Sequence, residues 1–372
     1  MVANGSDVVI VGGGITGTAI AYYLGKAGVK TTVIENDSVG SHASGFAYGG
    51  LSPLGGAGIP GVMAEVSQES MRLHFEWAHS LPEETGVNIE FRQRPTLALA
   101  FNDEEVEKLK APLAWQQQQP GYKVEWLDLA GAKAVESRIS DEAIGAVYIE
   151  GGADVEPYRL TLALTRAAEN MGATVRHGRV TGLKWAGSRV AGVMLEHGEV
   201  ACDQVVLAAG PWSAETGAWL NLPIEVRPLK GQIIRLRAPG APLQCSVGWK
   251  GNYATTKPDG LLWTGTTEEE AGFDENPTQA ARDQIVESLL KMLPSMTDAE
   301  LVEHTACLRP LSADEWLLLG PVPNCEGVYM ATGAGRKGIL LAPAMARATA
   351  DLIVKGSASI SLDAFDPGRF KS

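Results

Sequence analysis

The sequence predicts an α/β protein, a Rossmann-like dinucleotide-binding domain with a strand-rich α+β domain inserted into it, on three observations. A complete βαβ unit opens the chain, a long run of strands occupies its later middle, and a strand, glycine turn and apolar helix close it. In the opening unit, Asp7 leads a β-branched run through Val8, Val9, Ile10 and Val11 that suits a buried parallel strand. Gly12, Gly14 and Gly17 follow at the G-x-G-x-x-G spacing. The first permits the tight turn, the second lets backbone approach a pyrophosphate, and the third lets the helix lie close on the strand. A helix is expected over 15–26, stopped by Gly28, and a second strand over 31–34. Glu35 then stands where a carboxylate accepts hydrogen bonds from ribose hydroxyls and disfavours a 2′-phosphate.

Residues 41–61 are small, glycine-rich and almost uncharged, which reads as backbone packed against a flat ligand. Helical periodicity follows over 63–79, and 103–119 reads as one polar helix ending near Pro120-Gly121, with glutamines 116–119 as its solvated end. Asp154-Val155-Glu156-Pro157 starts another helix, with proline in its first turn and Gly172 as its stop. Strands are expected over 174–176, 180–185, 189–196 and 204–209, the last running into Ala209-Gly210-Pro211-Trp212 and a helix. The stretch 224–323 is strand-rich with one helix over 278–292. A buried strand over 328–332 leads through Gly333 to Gly338 into a long helix over 339–354. The dinucleotide domain is therefore expected from 1–80, 151–223 and 324–372, and the inserted domain from 81–150 and 224–323.

A chain of 372 residues exceeds what one compact core usually absorbs, in keeping with two domains. Its formal charge of −13 argues against a nucleic-acid or acidic-membrane partner. The sequence has no apolar run of about 18 residues and no charged prelude with an apolar segment at its start, so a cytoplasmic protein without a transmembrane segment is expected. Four scattered cysteines suit neither a disulfide framework nor a Cys-x-x-Cys site, and the six histidines show no H-x-x-x-H pairing, so no metal is expected.

Taken in order, several short motifs make the chain resemble the FAD-dependent D-amino-acid oxidase superfamily, and its glycine oxidase branch most closely. They are the N-terminal fingerprint with Glu35, Ser41-His42-Ala43-Ser44-Gly45, Asp154 to Tyr158, and Val205 to Ser213. Pro228-Leu229-Lys230-Gly231-Gln232, Leu308-Arg309-Pro310 and Gly338 to Pro343 complete the set. The resemblance implies a glutathione-reductase-type FAD-binding domain and an inserted substrate-binding domain. It implies that Ile15, Thr16, Glu35, Asn36, Ala43 and Ser44 lie along the ADP half of FAD, with Val180 offering backbone to adenine. Tyr48, Gly49 and Gly50 would face the isoalloxazine, with the Gly210-Pro211-Trp212 turn also in the cofactor site. Ala334, Gly335, Arg336, Lys337, Gly338, Ile339 and Leu340 would wrap the pyrimidine end, where a helix N-terminus raises the electron affinity of the cofactor.

The substrate site is expected at Arg309, an arginine among apolar neighbours whose planar fork suits a carboxylate. The resemblance adds Tyr253 as its helper, Arg336 beside the ring or the substrate, and Gly50, where relatives often carry a bulkier residue, so that a roomier pocket is expected. No essential catalytic acid or base is implied. Substrates would be glycine, small D-amino acids or N-substituted glycines, losing a hydride from Cα to flavin N5 to give an imine and then a 2-oxo acid, with oxygen or another electron acceptor completing the cycle. The position of the lysine that monomeric sarcosine oxidases place over the flavin is matched by Trp263. Cys307 falls near their covalent attachment point and reads as a small buried hydrophobe, so non-covalent FAD is expected. A flavin-binding subunit of a heteromeric amine or opine oxidase stands as the alternative, and a homo-oligomer is compatible with the main reading. An NAD-dependent dehydrogenase would share the first fingerprint but not the segment 333–338.

Overall fold

The computed structural model describes residues 6–371. Its first sheet has a parallel centre, in the order Val328–Thr332, Glu199–Leu207, Ser6–Val11, Thr31–Glu35 and Thr174–His177. Residues 8–11, 33–34 and 205–207 of these strands are covered on both faces and so read as unbroken apolar runs, whereas 199–204 alternates and the edge strand Thr174–His177 is largely exposed. The helices Ile15–Lys26, Pro157–Asn170 and Gly338–Lys355 cover one face, packing Ile20, Leu24, Leu160, Leu164, Leu341 and Met345 into one core. A hairpin of Val180–Ala186 and Arg189–Leu195 covers the other, with Leu183 and Val193 packed against Val205. Leu318–Pro321 adds an antiparallel edge by pairing with Val328–Thr332. The C-terminal ends of the parallel strands therefore share one side, the side on which open α/β sheets bind ligands.

A second, largely antiparallel sheet runs in the order Glu300–Ser312, Val226–Arg237, Leu262–Gly265, Asn252–Thr256, Ser246–Trp249, Thr96–Ala100, Gly145–Glu150 and Lys123–Asp128. Helix Gln279–Met292, capped by the Thr278 hydroxyl, closes one face of this sheet through Ile285, Leu289 and Met292. A small sheet of Gly50–Leu51, Ala153–Asp154 and Arg92–Gln93 ties together the crossings between the two large ones. Among the described residues no helix is long and apolar enough to cross a membrane.

Three expectations need correction. The polar stretch at 103–119 is two helices, Asp103–Lys110 and Leu113–Gln116, because Pro112 has no N–H to donate back into the first helix. Gln116 is buried rather than solvated, and its amide donates to Leu54 O at 2.9 Å. The helix expected over 63–79 runs from Ala64 to Thr85.

Candidate active site

At the C-terminal ends of the parallel strands lies a long cavity of about 630 Å³, lined from the glycine turn at one end to the second sheet at the other. The first end is built from backbone. Gly12 has φ +110°, and a Cβ there would lie 2.3 Å from Ala208 O. Gly17 does not line the cavity; it lets the helix sit so close to the turn that a Cβ would lie 2.0 Å from Gly12 O. Ser44 Oγ accepts from the Ile15 N–H at 2.9 Å, while the Glu35 carboxylate accepts from the N–H groups of Gly13 at 2.6 Å and Asp37 at 2.9 Å. Gly14, Thr16, Asn36, Ala43 and Val180 line the same end. Tyr48, Gly49, Gly50, Gly210 and Trp212 follow, and the segment from Ala334 to Leu340 lines the cavity where helix Gly338–Lys355 begins. The glycine-rich stretch, by contrast, lines the cavity only as far as Gly50. Leu51 and Leu54 turn into the core, and the later glycines lie outside it.

The second end is built from side chains of the second sheet. Half-buried Arg309 donates to Thr266 Oγ1 at 2.7 Å, Thr267 O at 3.2 Å and Lys230 O at 3.5 Å. No carboxylate lies within ion-pairing distance of it among the described residues, so its cationic fork is fixed in place without an anion. Gly231, on the neighbouring strand, makes room, since a Cβ there would sit 2.1 Å from the guanidinium. Tyr253 stacks on Tyr48 at 4.0 Å between ring centroids, and its buried hydroxyl has no hydrogen-bond partner. Burial holds that phenol well above its ordinary pKa, so it remains a donor. An unpartnered buried hydroxyl costs stability, and it lines the same cavity as a cation lacking an anion.

Three sequence readings change at this end, those of Arg336, Trp263 and Gly50. Arg336 lines the cavity, but its guanidinium is held by Glu268 and, at 3.1 Å, by Glu315. Trp263 lies outside the cavity, its indole N–H on Asp259 at 2.9 Å and its ring against the Arg235 guanidinium; Thr266 of the same region lines the cavity instead. The nearest cavity lysine is Lys337, which donates to Ser52 O at 2.7 Å and is pulled by burial to a pKa of about 8. The space beside Gly50 is taken by the Tyr48 ring, 2.5 Å from where a Cβ would stand, so this glycine does not open the pocket. Cys307 is buried in the lining, its thiol pushed up to about 11 by burial.

Sequence reasoning missed the strap formed by residues 266–278. Buried Lys230 donates to Asp274 Oδ2 at 2.8 Å and Asn276 O at 2.7 Å, and Gln232 holds Glu269 and the Thr278 N–H. Phe273 of the strap stacks on Trp212, and Glu275 meets His42, whose other nitrogen meets Asp37. The motif Lys230-Gly231-Gln232 thus anchors the strap on either side of the glycine that admits Arg309.

Comparison with known proteins matches this architecture throughout. The profile of the FAD dependent oxidoreductase family matches residues 7–352. The glycine oxidase of Pseudomonas aeruginosa is 32% identical over 348 residues, which cover 93% of this chain and 94% of that protein. The crystal structure of glycine oxidase from Geobacillus kaustophilus superposes with a TM-score of 0.93 at 30% identity, covering 99% of each chain. Iminodiacetate oxidase from Chelativorans gives a TM-score of 0.89 at 25% identity over 97% of this chain and 98% of the other.

Proposed function

Because the chain belongs to the family of FAD-dependent oxidoreductases, we propose that it oxidises glycine, small D-amino acids or N-substituted glycines to imines. That it is an FAD-dependent amino-acid oxidoreductase follows from the glycine oxidases it matches at about 30% identity over most of its length; the substrate is our reading of the cavity. The observation that carries it is the pairing of an anion-free Arg309 with the unpartnered Tyr253 hydroxyl in one cavity. A carboxylate would satisfy both, accepting two N–H bonds from the fork and an O–H bond from the phenol. The residues fit the cofactor as well: the Gly12 turn leaves backbone N–H groups and no side chain where a pyrophosphate would approach.

Bound FAD supplies the hydride acceptor. The chain supplies position: Arg309 and Tyr253 fix the carboxylate, with Thr266 of the strap holding the fork. Glu268 and Arg336, both in the lining, are paired with each other, and departure of hydride from Cα assisted by the neutral amine asks no proton transfer of them. The imine hydrolyses in water to a 2-oxo acid and ammonia or a primary amine, and oxygen or another acceptor takes the electrons. Anaerobic addition of glycine, sarcosine, D-alanine and iminodiacetate to the flavin-loaded protein should bleach its visible absorption with at least one of them. An oxidised spectrum unchanged by the whole panel rejects the substrate class.

A further inference from the structure

We propose that Tyr48 sets the size of the substrate's side chain, standing as a fixed aromatic wall in the volume that Gly50 leaves free. The proposal deepens the amino-acid reading above and depends on it for the identity of the ligand. Four independent restraints hold the ring. It stacks nearly parallel on Tyr253, at 4.0 Å and 15°. Its hydroxyl meets Ser246 Oγ at 3.0 Å, and Ser246 Oγ in turn meets Thr255 Oγ1 at 3.0 Å. The Lys257 ammonium lies 5.5 Å from its centroid. The fourth restraint is the missing Cβ of Gly50, for which the ring leaves only 2.5 Å.

The lysine is itself tied down. Its ammonium donates to Asp154 Oδ1 at 3.1 Å and Val155 O at 2.7 Å, and both charged side chains are 1% exposed. Arg92 grips the same carboxylate at 3.0 and 3.1 Å. Burying such charges yields little net stability, whereas it fixes position strongly. No role in substrate binding or chemistry accounts for them here; fixing the base of Tyr48 does. A ligand on the Tyr253 hydroxyl lies in the cavity beside this stacked pair, so bulk added at Cα meets a wall that cannot swing aside. The bulk at this point of the wall is the Tyr48 ring and not a side chain at position 50, and the site is built for glycine-sized substrates.

The test uses the flavin-loaded protein and its Tyr48→Ala, Tyr48→Phe and Gly50→Ala variants. Acetate, isobutyrate and isovalerate are titrated against the visible flavin spectrum, which reads ligand size without turnover, and kcat/KM is compared for glycine and D-valine. Tyr48→Ala should shift both preferences toward the larger ligand by about tenfold or more, and Tyr48→Phe, which keeps the wall, by less than about threefold. Gly50→Ala should weaken acetate binding in the parent and leave it unchanged in Tyr48→Ala, because the clash it causes is with that ring. If Tyr48→Ala does not retain flavin, Tyr48→Leu takes its place. Full flavin content with unchanged size preference in the small variant overturns the proposal. A parent protein that oxidises no amine, yet whose carboxylate size limit is relaxed by Tyr48→Ala, rejects the substrate reading and leaves Tyr48 as the wall.

Discussion

The two ends of the cavity are made of different material. At the glycine turn, the groups that face the cavity are backbone N–H groups and a helix end, held by contacts so close that Gly12 and Gly17 leave no room for a Cβ. At the second sheet they are side chains from neighbouring strands, Arg309 and Tyr253, each left short of a partner. The first end is complete without a ligand. The second end carries unsatisfied polar groups until a ligand arrives, and such groups cost stability that binding returns. Damage to the first should therefore remove the cofactor, and damage to the second should alter substrate kinetics in a protein that remains yellow.

The largest effect that would expose this division is at Gly12. An alanine there must hold φ +110° and place its Cβ 2.3 Å from Ala208 O; strain and overpacking cost about 1–3 kcal/mol each. Purified Gly12→Ala should contain almost no flavin, measured as absorbance per chain. Normal flavin content would mean that the turn is not part of the cofactor site.

At the other end, Gly231→Ala sharpens the comparison without replacing either Arg309 or Tyr253. Its Cβ would meet the Arg309 guanidinium, the movable end of a long side chain, so the fold should survive while the fork shifts. A shift of about 1 Å can cost about a hundredfold in kcat/KM. Flavin content should remain at the parent level. An unchanged kcat/KM would show that the fork's position does not matter.

The smallest effect lies in the strap that spans the two ends. Burial opposes charge on His42, but the hydrogen bond to Asp37 and the charge of Glu275 outweigh it and raise the imidazole pKa. A raised value in the folded state means that the contact stabilises fully below the unfolded value of about 6.5 and fades as pH rises through the folded one. Because Asp37 is half exposed, the contribution is at most about 1 kcal/mol. FAD release, followed by the appearance of free flavin fluorescence, should be slower near pH 6 than near pH 8, and His42→Gln should flatten the difference. A parent whose release rate ignores pH contradicts a role for the His42 contacts in holding the strap.

How much of this was legible in the sequence follows the same division. The turn at Gly12, Gly14 and Gly17 could be read because backbone geometry imposes a spacing, and the spacing is local. Arg309 could be read because a cation stood in an apolar strand. Lys230, Gln232 and His42 could not, because their partners Asp274, Thr278 and Glu275 lie 44, 46 and 233 residues away and only the fold brings them together. Gly50 shows the opposite failure: a missing side chain reads as space, and the sequence does not say that the Tyr48 ring fills it. The break at Ala111-Pro112, by contrast, was available from the proline's missing N–H alone.

The central claim, that a substrate carboxylate is held by a fork separate from the cofactor site, is tested most directly at Arg309 itself. Flavin content and kcat/KM for the best amino-acid substrate should be measured together in the parent, Arg309→Ala and Arg309→Lys. Removing the fork leaves a carboxylate to be buried unpaired, at about 3–5 kcal/mol, so Arg309→Ala should lose at least about a hundredfold in kcat/KM with its FAD still bound. Arg309→Lys should recover part of that loss, because a point charge cannot reproduce the planar fork. Near-normal kcat/KM in Arg309→Ala would contradict the account, and loss of flavin together with the fold would assign Arg309 to structure instead.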